Sequence, residues 1–313
     1  METRNLGRSG LQVSLVGLGC NNFGMRIDLA RSREVIDRAI ERGITLFDTA
    51  DSYGDKGGSE RILGEVLGPR RKEIVLATKF GSVMDDRGVL KGGSRRYVMR
   101  AVEASLQRLR TDWIDLYQLH KPDPATPIEE TLRALDDLVH QGKVRYLGCS
   151  NLAAWSVADA AWTAKHFGLA PFVCAQDEYS LLARDHERDL LPALQAYGMG
   201  LLPYYPLASG LLTGKYRRGQ PLPEGSRLAT SATWAERFLT ARNWDVVEAL
   251  ERFARERGRA LVDLAFAWLA SRKPVASIIA GATSPQQVDV NVGAAEWQLS
   301  QDDLACVDRI LAS

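Results

Sequence analysis

Eight short runs of apolar and β-branched residues recur along this chain, each followed by a loop and then by a segment of helical period. They are LVGLGC (15–20), TLFDTA (45–50), IVLATKF (74–80), IDLYQLH (114–120), VRYLGCS (144–150), FVCAQDEYS (172–180), GLLPYYPL (200–207) and ASIIAGA (276–282). Strand–helix repetition of this kind implies parallel strands joined by crossover helices. Several of the intervening segments carry their own helix signals. Thr126-Pro127-Ile128-Glu129 reads as a capping box with proline at the first helical position. Ile128, Leu132, Leu135 and Val139 then lie on one helix face, and Gly142 closes it. Ser94 is placed to cap a helix carrying Val98, Val102, Leu106 and Leu109, while Val35, Ile36, Ala39 and Ile40 form another stripe, closed by Gly43.

Eight units close most simply into a (β/α)8 barrel of the TIM type, and 313 residues accommodate the about 250 such a barrel needs, with additions. The rival is an open doubly wound sheet, which would carry G-x-G-x-x-G after its first strand. Here Gly17, Gly19 and Gly24 in GLGCNNFG miss that spacing. GLLTGK (210–215) is one residue short of a P-loop, and Tyr216 stands where Ser or Thr is needed. No linker rich in Pro, Gly or Ser divides the chain, so residues 1–313 read as one domain. NLGRSGLQVS, ahead of the first run, is a hairpin signal. The helix-poor stretch near 208–232 is long enough to be expected to serve function.

Charge and composition exclude several classes. Lys plus Arg number 40 against 39 Asp plus Glu, so neither a nucleic-acid surface nor a membrane-surface binder is expected. No apolar run approaches the roughly 20 residues of a membrane span. METRNLGRSG contains no apolar h-region, which makes the cytoplasm the expected compartment. Cys20, Cys149, Cys174 and Cys306 are far apart and form no C-x-x-C pair, so disulfides and structural zinc are not expected. Nor do His120, His140, His166 and His186 offer an i,i+4 metal pair.

Active sites of such barrels lie at the C-terminal ends of the strands. The second run ends at Asp48, with Tyr53 in the following loop; the third ends at Lys79 and the fourth at His120. Ser150 and Asn151 end the fifth, Gln176 lies in the sixth, Tyr204 in the seventh, and Gly281-Ala282-Thr283-Ser284 ends the eighth. Polar residues thus gather on one rim, and four of them combine chemically. Reduction of a carbonyl needs a proton donor for the developing alkoxide. Tyrosine is a poor donor at its ordinary pKa of about 10, and a neighbouring ammonium favours its ionisation. A buried ammonium in turn needs a carboxylate to stay charged. Asp48, Lys79 and Tyr53 supply these roles, and His120 orients or donates to the substrate oxygen. No side chain supplies hydride, so a cofactor is required. Ser284-Pro285 opens a helix whose N-terminus, beside the loops after the seventh and eighth strands, is a ready phosphate site.

FDTADSYG (47–54), ATKFG (77–81), LYQLHKPD (116–123), GCSN (148–151), YYPLASGLLTGKY (204–216) and GATSPQQVDVN (281–291) resemble, in order, the signature blocks of the aldo-keto reductases. The chain is most similar to the bacterial branch that itself resembles potassium-channel β subunits. The resemblance implies a hairpin plugging the barrel bottom, and NADP(H)-dependent reduction of a small carbonyl substrate with Tyr53 as general acid. It implies that Ser150, Asn151 and Gln176 hold the nicotinamide carboxamide and that Tyr204 stacks on the ring. Pro206, Leu207, Ser209, Leu211 and Lys215 would follow the pyrophosphate, and Gly281, Ala282, Thr283, Gln287 and Asn291 the adenosine end. Where many members carry a basic residue near the 2′-phosphate, this chain has Gly281 and Gln287, and Val290 replaces a common acidic residue; Arg227 matches a loop arginine that serves instead. His120 stands where members that reduce C=C bonds carry Glu, which implies C=O reduction. Two other readings share these residues: a nicotinamide-binding regulatory subunit with little turnover, and a barrel enzyme using Lys79 as a Schiff base. Phe23, Met25, Met84, Tyr205 and Trp234 are candidate liners of the substrate pocket.

Overall fold

The structure, a computed structural model, describes residues 1–312. Strands β1 (Thr3–Asn5) and β2 (Gln12–Ser14) pair antiparallel as the expected hairpin. Then follow β3 (Val16–Gly19), β4 (Leu46–Asp48), β5 (Val75–Phe80), β6 (Ile114–Leu119), β7 (Val144–Ser150), β8 (Phe172–Gln176), β9 (Gly200–Leu201) and β10 (Ile278–Gly281). Each lies inside one of the eight runs. All pair in parallel, in the order β10-β3-β4-β5-β6-β7-β8-β9. The remaining seam closes where Leu201 bridges Val275 and Ala276 N–H donates to the Leu201 carbonyl at 2.9 Å. The architecture is a (β/α)8 barrel. β9 is far shorter than its run because Pro203 and Pro206 have no N–H to give a ladder.

Alternation along the strands sorts side chains between two cores. Leu46, Ala77, Leu116, Cys174, Leu202 and Ile279 fill the barrel interior together with Leu6 and Val13 of the hairpin. Phe47, Leu76, Tyr117 and Ala175 point outward into the layer of helices. The hairpin therefore stoppers one end of the barrel. Its tip approaches so closely that a Cβ on Gly7 (φ +61°) would lie 2.5 Å from the Gly198 carbonyl oxygen, and Arg8 N–H donates to that carbonyl at 2.8 Å.

The helices follow their stripes, with Val35, Ile36 and Ala39 buried in Leu29–Glu41, and Leu132 and Leu135 buried in Ile128–His140. Ser94 caps Arg95–Leu109 through Tyr97 N–H, and Gly142 takes φ +73° after Ile128–His140. The capping box at 126–129 does not form. The Thr126 hydroxyl donates instead to Asp123 at 2.8 Å, Glu129 turns to Arg133 at 2.8 Å, and Pro127 is the cap. Asp123, nearer and charged, outcompetes the backbone for the hydroxyl. The stretch after β9 holds a 3-10 segment, Ala208–Thr213, and short helices Arg227–Thr230 and Ala232–Phe238. All four cysteines are free, and three are fully buried. No helix among the described residues is long and apolar enough to cross a membrane.

Candidate active site

The alternation that turns Leu46, Ala77, Leu116 and Cys174 inward also turns Asp48, Lys79, Gln118 and Gln176 inward, two residues further toward the C-terminal rim. There they meet. Lys79 Nζ, with no exposed surface, donates to Asp48 Oδ2 at 2.7 Å and to the Thr49 carbonyl at 2.8 Å, and lies 3.5 Å from the Tyr53 hydroxyl. The other oxygen of Asp48 accepts from Gln118 at 3.2 Å and from Gln176 at 2.8 Å. The carboxylate thus has its ammonium and two amide donors, which a buried charge requires. Burial pulls the Lys79 ammonium down, but Asp48 and Tyr53 together outweigh it and leave its pKa above the usual lysine range. It stays charged.

Tyr53 departs from the sequence expectation. Burial raises its hydroxyl above the ordinary phenol value; Lys79 pulls the other way, and Asp48 pushes it up again. Desolvation of the tyrosinate exceeds the attraction of an ammonium already neutralised by Asp48. His120 sits beside it, ring centroids 5.7 Å apart and edge-on. Burial, with repulsion from Lys79 and Lys121, lowers His120 to about 3, so the imidazole is neutral at neutral pH. Its Nδ1 lies 3.1 Å from Ser82 Oγ, which is what orients the ring.

These groups open onto a cleft of about 1400 Å³ that runs across the rim. Asp48, Tyr53, His120, Ser150, Asn151, Gln176, Tyr204, Pro206, Leu207, Ser209, Lys215, Arg227, Gly281, Thr283, Gln287 and Asn291 all line it. Lys79 lies beneath and reaches it through Asp48 and Tyr53. Leu211 and Ala282 do not line it. Both are packed into the core, and the Ala282 carbonyl accepts from Asn22 Nδ2 at 3.2 Å. Of the candidate pocket liners only Tyr205 faces the cleft. Phe23 is buried in the core, Met84 packs against it, Met25 is exposed, and Trp234 stands behind Tyr205 with ring centroids 5.0 Å apart.

Sequence reasoning passed over Gln118, Ser82, Asn21, Asn22, Arg26 and Lys121. Gln118 had a legible signal, being a polar residue in an apolar strand two positions from His120 and so on the same face. The others lie in loops, where no period assigns a direction.

The cleft fits a dinucleotide phosphate on structural grounds. Ser209 Oγ and Ser226 Oγ are buried, line the cleft and have no hydrogen-bond partner among the described residues. Lys215 lines it too, and the half-buried Arg227 faces no carboxylate among the described residues. Burial lowers the Arg227 guanidinium and nearby Arg26 adds to this. A Cβ on Gly281 would sit 3.1 Å from Asn22 Nδ2 and 3.3 Å from Asn21 Oδ1, so glycine keeps that wall open. Unpaired cations and unsatisfied hydroxyls of this kind are what an anionic ligand completes. At the far end the Ser284 side chain accepts from Gln287 N–H with Pro285 at the first helical position, and Gln287 Oε1 accepts from Thr283 N–H at 2.9 Å.

The barrel thus carries a buried Asp48–Lys79 pair with Tyr53 and His120 above it at its C-terminal rim, and an anion-accepting cleft beside them. The family model for the aldo/keto reductase family matches residues 15–312, and the chain belongs to that family. Among named relatives, it is 36% identical over 304 residues to a probable voltage-gated potassium channel subunit beta of Oryza sativa subsp. japonica, covering 94% of this chain and 91% of the relative. A protein of the same name in Arabidopsis thaliana is 36% identical over 306 residues (95% and 92%). A putative voltage-gated potassium channel subunit beta of Schizosaccharomyces pombe is 38% identical over 323 aligned positions (98% and 92%).

Proposed function

We propose that this protein reduces aldehydes or ketones to alcohols with NADPH, acting on a small-molecule substrate in the cytoplasm. The observation that carries the reading is the Tyr53 hydroxyl at the floor of the cleft, 3.5 Å from an ammonium held charged by Asp48 and beside a neutral imidazole. When bound, the nicotinamide supplies the hydride for the carbonyl carbon. Tyr53 gives its proton to the carbonyl oxygen as charge develops there, and Lys79 stabilises the tyrosinate left behind. The neutral His120 donates a hydrogen bond to the same oxygen and so fixes the carbonyl's orientation. Desolvation keeps Tyr53 protonated in the resting site but also makes it a weaker acid, so proton transfer relies on the Lys79 ammonium and on the charge that develops at the carbonyl oxygen. Ser150, Asn151 and Gln176 would hold the carboxamide, Tyr204 the ring face, Ser209 and Lys215 the pyrophosphate, and Thr283, Gln287 and Asn291 the adenosine end. Arg227, over the Tyr205 ring, beside Arg26 and without a carboxylate partner among the described residues, favours the 2′-phosphate of NADPH over the hydroxyl of NADH. Lys79 does not suit a Schiff base, because it is fully buried, charged and held by two oxygens.

The names of the relatives favour a second reading, a nicotinamide-binding regulatory subunit with little turnover. One experiment separates the two. An aldehyde and ketone panel is assayed with NADPH and NADH at equal concentration, for the wild type and Tyr53→Phe. Turnover that Tyr53→Phe lowers by about 10²–10⁴-fold, with NADPH affinity within roughly twofold, supports the reductase. Tight NADPH binding with negligible turnover across the panel supports the regulatory subunit. Near-wild-type turnover in Tyr53→Phe sinks the role assigned to Tyr53.

A further inference from the structure

Asp177 follows Gln176 at the end of β8, is 1% exposed, and has no cation near it among the described residues. Its Oδ1 accepts the backbone N–H of Asn151 at 3.1 Å, a bond that the same N–H shares with the Gln176 carbonyl at a longer 3.3 Å, while Oδ2 has no partner among the described residues. Its own carbonyl accepts Tyr204 N–H at 3.0 Å. Asn151 is left-handed, φ +60°, a conformation that side chains other than glycine resist and that needs outside support. From that backbone the Asn151 side chain donates to the His120 carbonyl at 3.0 Å and to Ser150 Oγ at 2.9 Å, and accepts the Tyr204 hydroxyl at 2.8 Å. One residue therefore ties together the ends of β6 and β7 and the segment after β9, and Asp177 grips two of the three tied pieces.

A carboxyl buried without a cation is unfavourable, and packing alone would be better served by an apolar side chain. We propose that Asp177 is a positioning residue for the nicotinamide end of the cleft: it holds Asn151 left-handed, and so keeps the Asn151 amide set against His120 and Tyr204. The groups that face it are Cys149 on β7, Cys174 on its own strand and Tyr204, each held protonated at neutral pH chiefly by burial. Glu178, next in the chain, is taken up by Arg237 at 2.8 Å. Nothing around Asp177 shields its charge, and burial holds its proton up to about pH 7. The ionised carboxylate grips the Asn151 N–H harder than the acid does, so the hold tightens as pH rises through that value.

The test uses the full chain as wild type, Asp177→Leu and Asp177→Asn. Backbone amide exchange at Asn151, measured without cofactor and corrected for intrinsic rates, is expected to be roughly tenfold faster in Asp177→Leu. Asp177→Asn keeps an acceptor oxygen without a charge, and is expected to lose the slowing that wild type shows between pH 6 and pH 8. Exchange unchanged in Asp177→Leu overturns the proposal; should that variant fail to fold, an Asp177→Asn profile that still follows wild type across this pH range overturns it instead. A second arm, which rests on the proposed function, measures the NADPH dissociation constant by tryptophan-fluorescence quenching. The wild-type to Asp177→Asn ratio cancels the titration of the cofactor's own phosphate, and is expected to move about threefold in favour of wild type from pH 6 to pH 8. A constant ratio overturns the link to cofactor binding. If no form binds a nicotinamide dinucleotide, the proposed function fails, while the exchange arm still decides the role of Asp177.

Discussion

Replacing Asp48 by Asn removes one charge and little volume from the most enclosed part of the site. Lys79 then keeps its contact with the Thr49 carbonyl but has no anion within reach, with its ammonium fully buried. An uncompensated buried ammonium escapes its desolvation penalty by losing its proton, as buried lysines with strongly depressed pKa values do. That escape sets a ceiling on the damage. Neutralising a lysine whose unfolded pKa is about 10.4 costs about 1.4 kcal/mol for each pH unit below that value. The ceiling is roughly 4.6 kcal/mol at pH 7 and roughly 1.2 kcal/mol at pH 9.5. The direction follows from proton counting. In the variant the folded state binds fewer protons than the unfolded state, so its stability rises with pH over this range. In the wild type Lys79 is raised, and its contribution is lost only as pH climbs through that raised value. Urea unfolding of both proteins at pH 7, 8 and 9.5 reads the effect directly. The expected destabilisation at pH 7 is about 3–4 kcal/mol and shrinks by more than half at pH 9.5. A destabilisation independent of pH would refute the assignment of the loss to an orphaned Lys79 charge. In the Asp48→Asn background, adding Lys79→Met should restore part of the stability at pH 7, because no lysine has to be neutralised on folding.

Gly7→Ala places a methyl 2.5 Å from the Gly198 carbonyl oxygen at a positive φ, so it should lower stability by about 2–3 kcal/mol in urea unfolding without changing the dissociation constant of a bound cofactor. For His120, lowered to about 3 by burial, the unfolded chain takes up a proton near pH 6.5 that the folded protein refuses. Stability is therefore lost as pH falls from about 6.5 toward about 3, and His120→Asn should remove about 2 kcal/mol of the difference between pH 7.5 and pH 5. Proton NMR of the His120 ring should show no titration between pH 5 and pH 8, and a midpoint near 6 would contradict the burial argument.

The barrel was legible because each strand announces itself by an apolar run and each helix by a stripe, and eight such units in parallel have few ways to close. The Asp48, Lys79 and His120 positions were legible for the same reason: a polar residue ending an apolar strand is conspicuous. The capping box at 126–129 misled because Asp123, a few residues upstream, competes for the Thr126 hydroxyl, and local spacing does not weigh competitors. Gln118 and Gln176 meet on Asp48 although Gln176 lies 128 residues away from it in the chain. Leu211 and Ala282 have the right neighbours in sequence, but their side chains turn into the core instead of the cleft.

The sequence by itself determined the number of strands, their order, and which ionisable residues end them, since these depend on local period and polarity. The tertiary structure alone decided how those residues behave. Desolvation depends on what packs around a group from every side, and here it reversed the expected direction for Tyr53, left His120 neutral, and kept Lys79 charged only because Asp48 lies 2.7 Å away. It also decided that Asp177, unmarked in the sequence, stands buried without a counter-ion beneath the residue that joins three strand ends.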